Sequence, residues 1–373
     1  MEKKTILAFV LSLAVLIAWS VFFAPQPAQK TESPAKEGAA APQPAPSVQK
    51  MEKPAEPVPV KGEEKEVIVE TPLYRAVFST AGASLKSFKL KKYRVKAEAD
   101  SPLVELVHGQ TPLVAVHFDS SGKNEPSPIV YHASETSLTL EPGASPREIT
   151  FRGTSPEGLQ IQQTFRIDPE QYAIEHGLTV SNPLEKPAEG VLKARIANVP
   201  PKESTSYYSF IGTSLLLNNK YEETASTDLK AEKSASGLIA WISYQEDYFM
   251  TAFVPEAEIQ SHYLARMLGS GVLEQTWSAA QPPIPPGTQF STRSTLYLGP
   301  RDLDLLKVIG RKLDLAIDFG WTDIIAKPLL YLLKFFNEYA GNYGIAIILL
   351  TILIKILFWP LTHKSYKSMK EMQ

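Results

Sequence analysis

The chain has 373 residues and a formal net charge of -2 at pH 7, which leaves room for two or three domains and gives no electrostatic footprint for nucleic acid. Cysteine is absent, which excludes disulfides, zinc–thiolate sites and cysteine nucleophiles. The six histidines (His108, His117, His132, His176, His262 and His363) include no pair at i, i+4 spacing, so a helix-borne metal site is unsupported and no cofactor is expected.

Residues 5–23 are apolar and follow Lys3 and Lys4, with Trp19, Phe22 and Phe23 at the far end. The run exceeds the roughly 7–15 apolar residues of a cleaved signal. No small-residue cleavage pattern follows it, because Ala24 leads into Pro25, Gln26 and Pro27. Residues 1–23 therefore read as an uncleaved transmembrane anchor whose two lysines hold the N-terminus in the cytoplasm. Nine prolines then fall between Pro25 and Pro59, among Ala, Lys, Glu and Gln. Such a segment buries too little apolar surface to offset its ordering entropy, so residues 24–66 are expected to form a semi-stiff linker.

Residues 67–300 have the grammar of β-structure. LYRAVFST runs into a turn at Ala81 and Gly82, and LKSFKL follows; EITFRG, LQIQQTFRID, YAIEHGLTVSN and GVLKARIANV repeat the alternation between Gly, Pro, Asn or Asp boundaries. Period-two runs of this kind predict half-buried antiparallel strands, and their number predicts one large β-sandwich. The aromatic stretch from Trp241 through Tyr244 to Phe249 reads as sheet core.

After Pro300 the period changes. Asp302 predicts the N-cap of a helix carrying Leu305, Leu306, Ile309 and Leu313 on one side, within a connecting segment 301–321 that breaks at Gly320 and Trp321. Residues 322–340 then form an amphipathic pattern, with Pro328 at a first helical position. Lys334, Asn337 and Glu338 share one side, and Leu329, Leu332, Leu333, Phe336 and Tyr339 occupy the other. The expectation is a helix lying in the membrane interface; burial against the β domain is the competing reading.

Residues 343–361, YGIAIILLTILIKILFWPL, hold a single charge, Lys355. At 1.5 Å per residue they extend about 28 Å, close to the hydrocarbon thickness of a bilayer. A central charge costs roughly 2.5–3.5 kcal/mol on the insertion scale, so its presence calls for a reason. Gly344, Thr351, Lys355, Phe358 and Thr362 fall in a narrow arc of the helix, a polar stripe that belongs against a protein or water-filled interior. Snorkelling of Lys355 to the headgroups is the bland alternative. His363, Lys364, Lys367 and Lys370 place the far end, residues 362–373, in the cytoplasm as the start of a basic loop, and the domain between the two spans outside.

LYLGP (296–300), LDLAIDFGW (313–321), KPLLYLLKFFNEYAGNYG (327–344) and the final WPLTHKSYKSMKEMQ resemble the YidC-type membrane protein insertases of Gram-negative bacteria, as does AWISYQEDYFMTAFVP (240–255). The likeness runs in order through the whole chain. It implies a membrane protein of the bacterial inner membrane with a periplasmic β-supersandwich of the galactose-mutarotase type, an interfacial helix and a five-helix core. It also implies a non-enzymatic chaperone that inserts, folds and assembles nascent inner-membrane proteins, alone or with the Sec translocon, and that meets membrane lipids and the ribosome. Thr351 and Lys355 match the two polar residues lining the family's substrate groove, with lysine where the family usually carries arginine. By the same likeness, the chain ends at Gln373 just after the first core helix and is expected to be the N-terminal part of an insertase. The alternative function is a membrane-anchored sugar-binding or mutarotase-like protein. Its only suggestive acid–base pair is Glu175 beside His176, and neighbours on a strand point to opposite faces.

Overall fold

Alternation becomes sheet from Glu66 onward. The computed structural model describes residues 48–50 and 63–371, except 99, 109–111, 121–128, 202–209 and 318–321. The expected anchor 1–23 and most of the expected linker 24–66 lie outside the described residues. Within that linker, Val48–Lys50 pairs antiparallel with Thr288 to Phe290, so this short stretch adds to a sheet.

Glu66–Glu70, Tyr74–Ser79, Ser84–Arg94 and Leu103–Glu105 form an antiparallel series, joined on its other edge by Ser137–Thr139 in parallel. The remaining fourteen described strands form one large sheet. The thirteen-residue strand Lys233–Gln245 organises it. Its first half pairs with Gln260–Met267, whereas its second half pairs with Gly212–Leu217 and Phe249–Pro255. Gly237 lies at the transition, where an added Cβ would come within 2.8 Å of Leu217 Cδ1. The two halves face each other: Trp277 packs 5.2 Å from Phe253 and Phe118 lies 6.5 Å from Phe290, ring centre to ring centre. The smaller sheet inserts Phe78 against Phe165 at 4.8 Å and Phe151 at 6.1 Å. The fold is a β-sandwich, as its alternation predicts. Trp241, Tyr244 and Phe253 are buried in it, but Tyr248, in the turn between their strands, is 76% exposed.

Helix α1 (Leu303–Ile309) follows the last strand, and the Asp302 carboxylate accepts from the amides of Asp304 (2.9 Å) and Leu305 (3.2 Å) as its cap. Its buried side departs from the expected one only at Leu305, since Leu306 is buried and Ile309 packs against the core. Leu303 and Leu306 face the core while Leu305 points outward, and Gly310, at φ 76°, ends the helix before Leu313. Leu313 and Ala316 still reach the core from a separate 3-10 turn, Leu313–Ala316. Arg301 fastens this segment: Nη1 donates to the Glu246 carbonyl (3.0 Å) and Nη2 to that of Ala316 (2.9 Å). The supposed connector is therefore an integral part of the domain up to Ile317.

Candidate functional site in the membrane-associated helices

Helix α2 (Asp323–Ala340) has eighteen residues and begins more than a turn before Pro328, where the sequence pattern starts the helix. Pro328 sits inside it, not at its first position, and Asp323 pairs with Lys327 at 2.5 Å across that turn. The polar side of α2 is docked on α1. Lys334 Nζ lies 2.6 Å from Asp304 Oδ2 and 3.2 Å from Asp302 Oδ2. Burial works against the Lys334 charge, but its hydrogen bonds to Asp304 and Asp302 prevail and hold its pKa above the usual lysine value. Lys307 donates to the Tyr331 hydroxyl and sits 4.9 Å from the centre of that ring.

With its polar side held, α2 presents apolar side chains outward. Ile324 (85%), Ile325, Tyr331, Phe335 and Tyr339 are exposed, whereas the expected Leu329, Leu332, Leu333 and Phe336 are half-buried. No residue of α2 is fully buried, so burial against the β domain is not its arrangement. The exposed set at 324, 328, 331, 335 and 339 follows helical spacing. The sequence pattern hides this set, because Pro328 reads as a first helical position and the turn before it as loop.

Helix α3 (Tyr343–Glu371) starts after a two-residue turn, where Gly341 takes φ 62° and Asn342 Oδ1 accepts from the Gly344 amide at 2.7 Å. It continues through Pro360 to Glu371, so the tail expected as a loop from residue 362 is helical up to that point. Residues Tyr343–Pro360 are long and apolar enough to cross a membrane. Ile345, Ile348, Ile356, Leu357 and Trp359 are 49–70% exposed, an arrangement that suits lipid and not water.

Thr351 and Lys355 lie one turn apart on α3 and both are exposed. Lys355 forms no ion pair with a described residue. The Thr351 hydroxyl donates to its own helix, to the Ile347 carbonyl at 2.7 Å, and Thr362 does the same to Phe358 at 2.9 Å. That leaves the Thr351 oxygen as an acceptor. Gly344, Thr351, Lys355, Phe358 and Thr362 are all exposed; of the least exposed positions of α3, Ala346 and Leu350 lie away from this stripe and Ile354 flanks it. The stripe therefore remains open.

The pair behind the sugar-chemistry alternative is separated. His176 is fully buried, its Nε2 2.9 Å from Gln163 Oε1 and its Nδ1 3.1 Å from Ser294 Oγ. Glu175 is on the opposite face, bonded to Arg166 at 2.7 Å.

A β-sandwich fixed to an amphipathic helix and a membrane-length helix with one central cation defines a membrane-associated domain protein. Residues 66–332 match the family described as YidC periplasmic domain, and residues 335–373 match that described as 60Kd inner membrane protein. The whole chain aligns at 36% identity with the "Membrane protein insertase YidC" of Pelobacter propionicus, covering 70% of that relative, and at 35% with that of Geobacter metallireducens, covering 71%. The chain belongs to the YidC membrane protein insertase family. Among solved structures, a galactose mutarotase-like protein from Lactobacillus casei matches 62% of this chain and 99% of its own length, at 13% identity and a TM-score of 0.43.

Proposed function

We propose that the chain acts in inserting and folding inner-membrane proteins, with Lys355 as the cation that attracts incoming polar or acidic segments. The observation that carries this is a lone lysine on an open polar stripe in the middle of a lipid-exposed helix. A cation held there lowers the cost of bringing a substrate's acidic end partway into the hydrocarbon layer. Thr351, one turn away, accepts a hydrogen bond from the same segment. Binding is non-covalent and transient, because the substrate must leave sideways into lipid. In this reading the N-terminus and the tail of α3 are cytoplasmic, the β-sandwich is periplasmic, and α2 lies in the outer interface. Nascent inner-membrane proteins are the substrates, the Sec translocon is a partner, and the basic tail meets the ribosome or anionic lipid.

The test is insertion by Lys355 variants of the complete insertase, normalised to its amount, on one substrate with a charged translocated end and one strongly hydrophobic. Lys355→Arg should remain active. Lys355→Glu should lower insertion of the charged substrate by on the order of tenfold, equivalent to about 1.4 kcal/mol. Lys355→Ala should affect the charged substrate more than the hydrophobic one. Equal activity of the alanine variant on both would reduce Lys355 to a snorkelling anchor.

A further inference from the structure

Three of the exposed apolar side chains of the β domain stand at the end that holds α2, with Val95, Leu238 and Met267 exposed outside this group. Tyr248 is 76% exposed, Val308 74% and Leu305 37%. The Tyr248 carbonyl accepts from the Arg301 amide at 2.8 Å, beside Asp302, the cap of α1 and a partner of Lys334. Leu305 and Val308 share one ridge of α1, three residues apart. Val308 directly follows Lys307, which holds Tyr331 at the margin of the exposed stripe of α2. The chain thus runs from Arg301, bonded to Tyr248, through α1 to the bonds that Lys307 and Asp304 make with α2.

We propose that this end of the β-sandwich is seated on the bilayer surface, with Tyr248, Leu305 and Val308 in contact with the lipid interface. The inference rests on the reading of α2 as an interfacial helix and extends it to the domain. Lipid is the occupant that fits. The three side chains are exposed, α1, which carries two of them, is bonded to α2 through Lys307 and Asp304, and the chain enters its membrane-length helix at Tyr343. A tyrosine with an apolar ring and a polar tip suits the headgroup level. Lys334 holds two of the nearby acids, Asp302 and Asp304, and His108 Nε2 lies 3.5 Å from a third, Glu246, while Asp247 beside Tyr248 is half-buried. The domain then rides on the membrane in a fixed attitude, even though a proline-rich segment precedes it.

The absence of cysteine makes single labels direct. Tyr248→Cys, Val308→Cys, Phe335→Cys and Pro286→Cys would each carry a fluorophore on the full chain in phosphatidylcholine vesicles. Pro286 is the control at the other end of the strand Thr288–Pro300, about 40 Å away at 3.3 Å per residue. Quenching by lipid-borne spin labels and by aqueous iodide would be compared. The expected result is a lipid-to-iodide ratio at 248 and 308 on the order of tenfold above that at 286, and close to that at 335. Adding Val308→Glu and Leu305→Glu to the Tyr248→Cys chain should return its label to water. If the label at 335 meets lipid while 248 and 308 stay in water, the seating is overturned and the interfacial helix stands. Labels at 248 and 308 shielded from iodide yet not reached by lipid quencher would overturn it in favour of a protein partner. A water-exposed label at 335 would overturn the reading of α2 itself.

Discussion

Trp277 and Trp359 are the same residue in opposite surroundings. Trp277 is fully buried between the halves of the large sheet, against Phe253, whereas Trp359 on α3 is 70% exposed. The contrast holds along both regions. The sandwich encloses Trp241, Tyr263, Tyr297 and Phe88, while α3 turns Ile356 and Leu357 outward. A protein that must hide apolar area from water does so within a sheet by alternation, and a helix that sits in lipid has no reason to. The contrast is that of a chain built for two solvents, with α1 and α2 lying between the two regions in sequence.

The largest effect should come from breaking that contrast in the sandwich. Trp277→Ala removes a buried ring and leaves a cavity, so the domain should lose about 3–5 kcal/mol. Trp359→Ala should leave domain stability unchanged. Urea unfolding of the full chain in detergent, followed by near-ultraviolet dichroism, measures both. A comparable loss from the two variants would mean that α3 packs into the domain and that the two-solvent reading is wrong.

Acid should separate the regions next, because the sandwich holds imidazoles that cannot take up a proton. Burial pushes the pKa of His176 down to about 3. Burial and the nearby Lys193 take His117 down to about 4. Both ring nitrogens of His117 are buried without a partner. An unfolded histidine titrates near 6.5, so below that pH the unfolded chain binds protons that the folded chain refuses. The stability these histidines contribute is complete above about pH 6.5 and is lost as pH falls towards 4, by up to about 1.4 kcal/mol per pH unit for each. His108 has the opposite sign. Its hydrogen bond to Glu246 raises its pKa, so it stabilises at low pH and that contribution fades as pH rises through the raised value. Its contribution is complete below about pH 6.5, so it opposes the other two only above that pH and leaves their slope between 6.5 and 4.5 intact. His117→Leu, which breaks no hydrogen bond, should flatten it, and a urea midpoint independent of pH between 6.5 and 4.5 would contradict the assignment.

The strands and the cap at Asp302 were legible because each depends on neighbours in sequence: alternation, a turn glycine, a carboxylate before two free amides. Lys355 was legible as the only charge in an apolar run. Pairings made at a distance were not. Nothing local says that Lys233–Gln245 serves both halves of the sheet, or that Lys334 finds Asp304 thirty residues away. Tyr248 resembles its buried neighbours Tyr244 and Phe253 in type, and only the turn exposes it. The helix ends mislead for another reason. Gly310 is a stop signal, but Leu313 continues the apolar spacing beyond it and suggests a longer helix. Pro328 and Pro360 read as boundaries, yet both lie inside helices.

The smallest expected effect is at Thr351, and it bears on where the comparison ends, at the one polar stripe of the lipid-exposed helix. Its hydroxyl proton is committed to the Ile347 carbonyl, so the side chain offers substrate an acceptor and no donor. A single neutral hydrogen bond contributes about 0.5–1.5 kcal/mol, a factor of roughly two to ten. Thr351 is exposed and its partner is intermittent, which places the effect at the lower end of that range. Thr351→Ser keeps the oxygen and should insert substrates as the parent does. Thr351→Val keeps the shape, loses the oxygen, and should lower insertion by no more than about threefold, most visibly for segments that carry hydrogen-bond donors. The yield of inserted product per insertase, for donor-rich and purely apolar segments side by side, decides the matter. Equal losses for both segment types would point to packing and not hydrogen bonding at this position. A loss larger than that of Lys355→Ala would move the centre of the stripe from the cation to the hydroxyl.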